Sequence, residues 1–152
     1  MQLTPHFALQ EFTSSDVAAR LGIDNEPGID TILRLRETAA MLERIRDLLT
    51  HQAGRPVPIL ISSGYRCPAL NRAIGGAPHS DHLLGYAADW TAPEFGSPAA
   101  VAAALAPQVE QLGIGQLILE FGRWVHTAVP QKATASRVIT INQAGLLPGI
   151  VV

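Results

Sequence analysis

The spacing of apolar residues along the chain predicts two long helices and one short one. Between residues 31 and 49, apolar side chains recur every three or four positions, which is the period of an amphipathic helix. Asp30 caps its start, and residues 54–56 (Gly-Arg-Pro) end it. A second helix is expected over residues 97–112, because Pro98 suits a first helical turn. A short helix is expected to end at Leu21, with Gly22 after it.

Short apolar runs predict the strands of one sheet. These runs cover residues 57–62, 86–91, 116–120, 124–129 and 137–142. Residues 121–123 contain a glycine between two of the runs, which indicates a hairpin. Residues 63–85 are predicted to be irregular, and such long loops often carry function. No repeat or linker interrupts the pattern, so we expect one α+β domain over residues 1–152, with helices packed on a small central antiparallel sheet.

Composition narrows the function classes. The 152 residues are 47% hydrophobic and 16% charged, which is enough to build a core, and the net charge of −2 offers no basic excess for a nucleic acid. Cys67 is the single cysteine, so an intrachain disulfide and a sulfur-rich zinc site are both excluded. The chain shows neither a signal-peptide pattern nor an apolar run near the ~18 residues that span a bilayer. We therefore expect synthesis in the cytoplasm, no membrane insertion and a monomer.

Two histidines and an aspartate form the candidate chemistry. His82 and Asp89 are separated by a segment in which Gly85 lets the chain turn, and His126 lies on a strand that could neighbour residues 86–91. Two imidazoles and one carboxylate make a catalytic zinc set whose fourth position is left for water. Spacing alone also fits a surface histidine beside a loop-capping aspartate.

Three sequence blocks carry a family resemblance. They are S-G-Y-R at residues 63–66, S-x-H-x-x-G-x-A-x-D at residues 80–89 and W-x-H at residues 124–126. In this order they resemble the zinc D-Ala-D-Ala carboxypeptidase-type peptidases of the M15 family. Residues 7–12 and 22–25 also resemble the small phage endolysin-like members of that group.

The resemblance implies roles for particular residues. Arg66 would hold a substrate carbonyl or carboxylate and stabilise the oxyanion that forms on attack, or else pin the loop through a salt bridge. Ser80 would bond the substrate's terminal group or, equally, cap a turn, and Tyr65 would line the cleft. The implied zinc ligands are His82, Asp89 and His126.

The general base departs from the family pattern. Many relatives carry an acid three residues before the last histidine, where this chain has Arg123, which cannot accept a proton. If residues 121–123 form a hairpin loop, Glu120 pairs with Trp124 and shares a sheet face with His126. Glu120 is then the candidate base, although an exposed carboxylate closing a hairpin fits the same pattern. Two other acids are held in reserve: Asp81 and Glu94.

The implied activity is hydrolysis of peptide bonds in bacterial peptidoglycan stems by a zinc peptidase. A carboxypeptidase and an endopeptidase fit equally, and a phage enzyme would wait in the cytoplasm until its release to the periplasm. Two alternatives stay open. One is a non-catalytic zinc domain that binds wall peptide or a protein partner, and the other is a structural component of a phage particle.

Overall fold

A computed structural model describes residues 1–131 and 136–152. In this part of the chain the helices are α1 Leu9–Thr13, α2 Asp16–Leu21, α3 Ile29–Ala53, α4 Pro68–Ala73, α5 Pro98–Leu105 and α6 Val109–Leu112. The strands are β1 Gln2–Thr4, β2 Phe7–Ala8, β3 Leu60–Ser63, β4 Ala87–Thr91, β5 Gln116–Glu120, β6 Trp124–Ala128, β7 Arg137–Asn142 and β8 Gly145–Pro148. Short 3-10 turns cover Asp81–Leu83 and Ala106–Gln108.

Within the described residues, the main sheet has six strands in the order β3-β4-β6-β5-β7-β8, and β1 and β2 form a separate hairpin. The prediction of an α+β fold is confirmed. The prediction of an antiparallel sheet is wrong at one pair, because β5 and β7 are parallel. The sheet is therefore mixed.

Chain direction explains the parallel pair. Strand β6 has β4 on one edge and β5 on the other, so β7 can extend the sheet beside β5 only on the free edge of that strand. Strand β6 ends with Ala128 opposite Gln116 at the start of β5, and β7 begins with Arg137 opposite the same residue. Since β7 starts at the end of the sheet where β5 starts, it runs in the same direction as β5.

Both segments that were predicted as long helices are helical in the structure, but their ends differ from the predicted ones. Helix α3 has 25 residues, longer than the predicted 31–49, and it ends at Ala53, because Gly54 takes a left-handed conformation with φ of +69°. The predicted helix 97–112 is divided into α5, a 3-10 turn and α6. Pro107 lies in this turn, and a proline inside a continuous helix would remove a hydrogen bond and clash with the preceding turn.

Some short elements escaped the sequence prediction. Helix α4 lies inside residues 63–85, and β8 forms in the apolar tail. Strand β3 begins at Leu60 rather than at residue 57. Such elements have too few residues to show a period, and they form because a neighbour is present. Strand β8, for example, pairs along the free edge of β7.

The two faces of the sheet have different roles. One face packs against the helices, and α3 and α5 supply much of the core on that side. Its buried residues alternate with those of the other face. They are Ala88, Trp90, Leu117, Leu119 and Val125. The opposite face, here called the site face, carries Asp89, Ile118, Glu120, Trp124 and His126. In the described part of the chain, no helix has both the length and the apolar character needed to cross a membrane.

The hairpin between β5 and β6 brings Glu120 and Trp124 together. Glu120 lies opposite Trp124, which confirms the predicted register. Phe121 and Gly122 have φ of +53° and +63°, as in a type I′ turn, where Asn-Gly is the favoured pair. A left-handed conformation costs a residue with a side chain about 1–2 kcal/mol. Phe121 is nevertheless 51% exposed, so burial of its ring does little to offset that strain.

Candidate metal and catalytic site

Asp89 lies at the centre of the site, on β4. Its Oδ1 atom is 2.8 Å from Nδ1 of His126 and 3.2 Å from Nε2 of His82. His126 is the direct partner of Asp89 in the antiparallel pair of β4 and β6, as the sequence predicted for these strands. His82 arrives from the 3-10 turn that precedes β4. The three residues are buried, and their ligand atoms lie within 4.8 Å of one another.

The hydrogen bonds of His82 show which of its nitrogens is free for a metal. Nδ1 of His82 is 2.6 Å from the carbonyl oxygen of Gly64, which can only accept, so Nδ1 carries the hydrogen. Burial lowers the pKa of His82, which favours the neutral form of its ring. Nε2 then presents a lone pair to a carboxylate oxygen 3.2 Å away. A metal ion bound by both atoms would remove the repulsion between these two acceptors.

Asp89 supplies the negative charge of this set. Burial alone would raise the pKa of Asp89, but contact with the imidazole of His126 outweighs it and holds the pKa well below its usual range. The donor set is therefore an anionic oxygen and two imidazole nitrogens, which suits zinc. Two ligands in a tetrahedral zinc site stand roughly 3.4 Å apart, given bonds of about 2.1 Å. The residues present fit a zinc ion with one coordination position open.

Two glycines allow the chain to reach this arrangement. A side chain on Gly64 would place its Cβ 2.5 Å from the carbonyl oxygen of Phe12, so only glycine permits this approach to α1. Gly85 has φ of +83°, which provides the predicted turn between His82 and Asp89. The Thr38 hydroxyl on α3 donates to the Gly85 carbonyl at 2.8 Å and ties the turn to the core.

Arg66 contacts the other oxygen of the central carboxylate. Its Nη2 donates to Oδ2 of Asp89 at 3.1 Å, and its Nε donates to the Ser63 hydroxyl at 3.1 Å. A third contact joins Nη1 to Oδ1 of Asn71 at 3.4 Å. The structure therefore places the guanidinium in a salt bridge with a candidate metal ligand, where it orients the carboxylate and keeps it charged.

Glu120 lies on β5, which is on the other side of β6 from β4, the strand that carries Asp89. Its Oε1 atom is 4.0 Å from Nδ1 of His126. Burial raises the pKa of Glu120, the charge of Asp89 adds to the effect, and His126 and Arg66 act against it. A raised pKa brings a carboxylate closer to the range in which it can take up and release a proton near neutral pH.

The remaining predicted residues are arranged around this centre. The Ser80 hydroxyl accepts from the backbone N–H of His82 at 3.3 Å, so it caps the 3-10 turn. Tyr65 packs against the core. Burial raises the pKa of its phenol, and the charges of Cys67 and Asp24 add to this effect. Asp81 accepts a hydrogen bond from Gln131. Glu94 is exposed in the loop after β4.

Asn25 is a buried positioning residue that the sequence reasoning missed. Its Nδ2 donates to the carbonyls of Thr13 at 2.9 Å and Tyr65 at 3.0 Å, and its Oδ1 accepts from the N–H of Cys67 at 2.8 Å. The side chain thus clamps both sides of Arg66 to the N-terminal segment. Its place in a turn-like Asn-Glu-Pro-Gly stretch concealed this role, because nothing local indicates a contact 40 residues away.

A first prediction concerns the support that Arg66 gives to Asp89. We expect Arg66→Gln to weaken zinc affinity by about 10–100-fold, the usual effect of removing a partner of a metal ligand. The measurement is competition for zinc against a chromophoric chelator. The matched control is Arg72→Gln, an exposed arginine on α4, which should leave the affinity unchanged. Equal affinities for wild type and Arg66→Gln would contradict a supporting role.

The fold and the donor set together define a class of protein, namely an α+β domain whose sheet carries two histidines and an aspartate that could hold one zinc ion. Comparison with known families agrees with this class. The family model described as Peptidase M15 matches residues 5–128, and the chain belongs to this family. M15 peptidases are zinc-dependent, so the protein is a zinc metallopeptidase. The family also suggests substrates of the peptidoglycan type. A comparison with curated proteins found no match.

Proposed function

We propose that residues 1–152 form a single zinc peptidase domain that hydrolyses peptide bonds in the stem peptides of bacterial peptidoglycan. In this proposal the zinc ligands are His82, Asp89 and His126, and Glu120 is the general base. The observation that carries the proposal is the placement of the Glu120 carboxylate 4.0 Å from Nδ1 of a candidate ligand, on the same sheet face. A metal group with a carboxylate at this distance has the parts that peptide hydrolysis needs.

Zinc, when bound, would polarise the scissile carbonyl and acidify the attacking water. The chain's own residues supply the remaining steps. Glu120 accepts the proton of the water and later donates it to the leaving amine, which its raised pKa favours. Arg66 holds Asp89 in its ligating orientation, and its positive charge favours the negative charge that develops on the carbonyl oxygen.

The Arg66 geometry refines the role expected for that residue. Its three N–H contacts go to Asp89, Ser63 and Asn71, and its side chain is only 12% exposed. We therefore propose that Arg66 acts on the substrate mainly through its charge and through Asp89. Ser80 and Tyr65 stay proposed substrate contacts, Ser80 from the cap beside His82 and Tyr65 from the loop that carries Arg66.

The biological setting is also part of the proposal. The opening segments resemble phage endolysin-like members, so we propose a lysis enzyme that acts on the cell wall after release from the cytoplasm. Adding zinc-loaded protein to outer-membrane-permeabilised bacteria should lower their turbidity, and Asp89→Asn protein should not. Equal lysis by both would contradict the role.

Mass spectrometry of purified stem peptides after incubation with the zinc-loaded protein tests the function. Release of a single terminal residue identifies a carboxypeptidase, and two internal fragments identify an endopeptidase. Peptides that stay intact while the protein retains one zinc per chain would contradict the proposal and favour a non-catalytic zinc domain.

A further inference from the structure

An open groove lies next to the proposed catalytic centre and is not used by the mechanism above. Its volume is about 810 Å³. One wall is the turn between β5 and β6, and the other is the turn between β7 and β8. We call it the hairpin groove, and it is lined by Phe121, Arg123, Trp124, Asn142, Gln143 and Ala144.

The groove is continuous with the site face. Trp124 forms part of its wall and is the direct cross-strand partner of Glu120. Along β6, Trp124 lies two residues from His126, which is about 6.6 Å at the rise of a strand. An extended peptide advances roughly 3.3–3.6 Å per residue. A substrate running from the metal group into the groove would therefore place its second or third residue there.

Backbone contacts hold the two walls in a fixed relation. The N–H of Phe121 donates to the carbonyl of Ile141 at 2.8 Å, which joins the first turn to the end of β7. The side chain of Asn142 accepts from the N–H of Ala144 at 2.8 Å and closes the second turn. The groove is thus built from two turns that are anchored by the parallel pair of strands.

The lining residues indicate the chemistry of the occupant. Arg123 is exposed and forms no salt bridge within residues 1–131 and 136–152, so its guanidinium is available to an anion. The rings of Phe121 and Trp124 lie with their centroids 6.4 Å apart and offer an apolar surface beside that charge. Among the residues that the structure describes, no acidic side chain lines the groove. A peptide segment with a carboxylate matches this combination.

The backbone of Phe121 supports a role in binding. Its φ of +53° and its 51% exposure oppose the usual preferences of an aromatic residue. In a turn of this kind, the residue usually found before the glycine is asparagine. Strain of this kind clusters at functional positions, and here it holds an aromatic ring at the mouth of the groove.

We propose that the hairpin groove is a specificity subsite that binds a carboxylate-bearing residue of the peptide substrate, two or three residues from the bond that is cleaved. Arg123 pairs with the carboxylate, and the rings of Phe121 and Trp124 contact the apolar atoms of the same segment. This inference rests on the proposed peptidase function. Arg123, which stands where the family pattern has an acid, would then help to select the substrate.

Pairs of synthetic stem peptides test the subsite. Within a pair, one residue near the cleaved bond carries either a carboxylate or a carboxamide, and the position is varied up to three residues from that bond. At one position, wild type should show a KM about fivefold lower for the acid, with a similar kcat. Arg123→Gln should lose that preference, and the exposed control Arg36→Gln should keep it. Equal KM values for wild type at every position, or a preference that survives Arg123→Gln, would overturn the proposal.

A second variant tests the aromatic wall. Phe121→Asn creates the Asn-Gly pair that a type I′ turn prefers, so Tm should rise while KM increases for both peptides of a pair. An unchanged KM would show that the ring does not contact the substrate.

Binding separates failure of the subsite from failure of the peptidase function. Trp90 is fully buried, so acrylamide quenching of tryptophan fluorescence reports on Trp124. If wild type cleaves neither peptide, the proposed function is wrong. Stronger protection of Trp124 by the acid peptide than by the amide would still establish that the hairpin groove binds the carboxylate, and equal or absent protection would overturn it.

Discussion

Glu120→Gln is expected to reduce kcat on a stem peptide by about 10²–10⁴-fold, the usual contribution of a general base. The glutamine keeps the size of the side chain but cannot take the proton of the attacking water. Zinc content should stay at one per chain, because the Glu120 carboxylate lies 4.0 Å from Nδ1 of His126 and is not one of the three proposed ligands. KM should change little, because the variant alters a step and not a binding contact.

The control for this prediction is another glutamate near the site. Glu94 is exposed in the loop after β4, and it was a reserve candidate for the base. Glu94→Gln should retain the kcat of the wild type. The assignment of Glu120 would fail if its variant kept full activity or if Glu94→Gln abolished it. Loss of activity together with loss of zinc would show instead that Glu120 belongs to the metal centre.

His82→Ala should abolish both zinc binding and hydrolysis. In the proposed ligand set the imidazole is one of three ligands, and its Nδ1 bond to the Gly64 carbonyl fixes the ring in place. Elemental analysis should find about one zinc per wild-type chain and none in the variant. The matched control is His79→Ala, an exposed histidine of the same loop, which should bind zinc like the wild type.

Thermal unfolding gives an independent readout of the same site. A metal that binds only the folded state at a thousandfold excess over its Kd adds about 4 kcal/mol. In a domain of this length that corresponds to a Tm increase of roughly 8–16 °C. Wild type should show this shift on adding zinc, and His82→Ala should not. Because His82→Ala removes a buried side chain, a second variant is needed that leaves the packing intact. Asp89→Asn, which nearly preserves the side-chain volume, serves this purpose. A zinc-dependent Tm shift in both variants would refute the ligand set.

Local patterns predicted much of the site because its chemistry is carried by residue types in short blocks. The turn at Gly85 and the register of Glu120 opposite Trp124 follow from a glycine and from a hairpin of known length. The sequence already showed that Arg123 departs from the family pattern, and the structure places this residue in the lining of the hairpin groove. A salt bridge that pins the loop was one of two interpretations of Arg66, and the structure shows a salt bridge from Arg66 to Asp89.

Other features lay beyond any local pattern. Asn25 reaches Tyr65 and Cys67 across 40 and 42 positions, and the Gly64 carbonyl meets a histidine 18 positions away. Helix α4 was missed because six residues hold less than two helical turns of pattern. Each of these depends on a neighbour that is brought close only when the chain has folded.

The sequence by itself determined where the two long helices and most strands of the main sheet form, because these follow from short-range spacing. It also predicted His82, Asp89 and His126 as zinc ligands and Glu120 as the acid, because its sequence blocks resemble those of the family. The tertiary structure alone decided that β7 joins β5 in parallel, that Gly64 and Arg66 orient the ligands, and that two distant turns enclose a groove beside Trp124. The physical reason is that a strand edge or a buried polar group pairs with whichever unpaired group the fold brings next to it. The order of residues along the chain does not show which groups become neighbours.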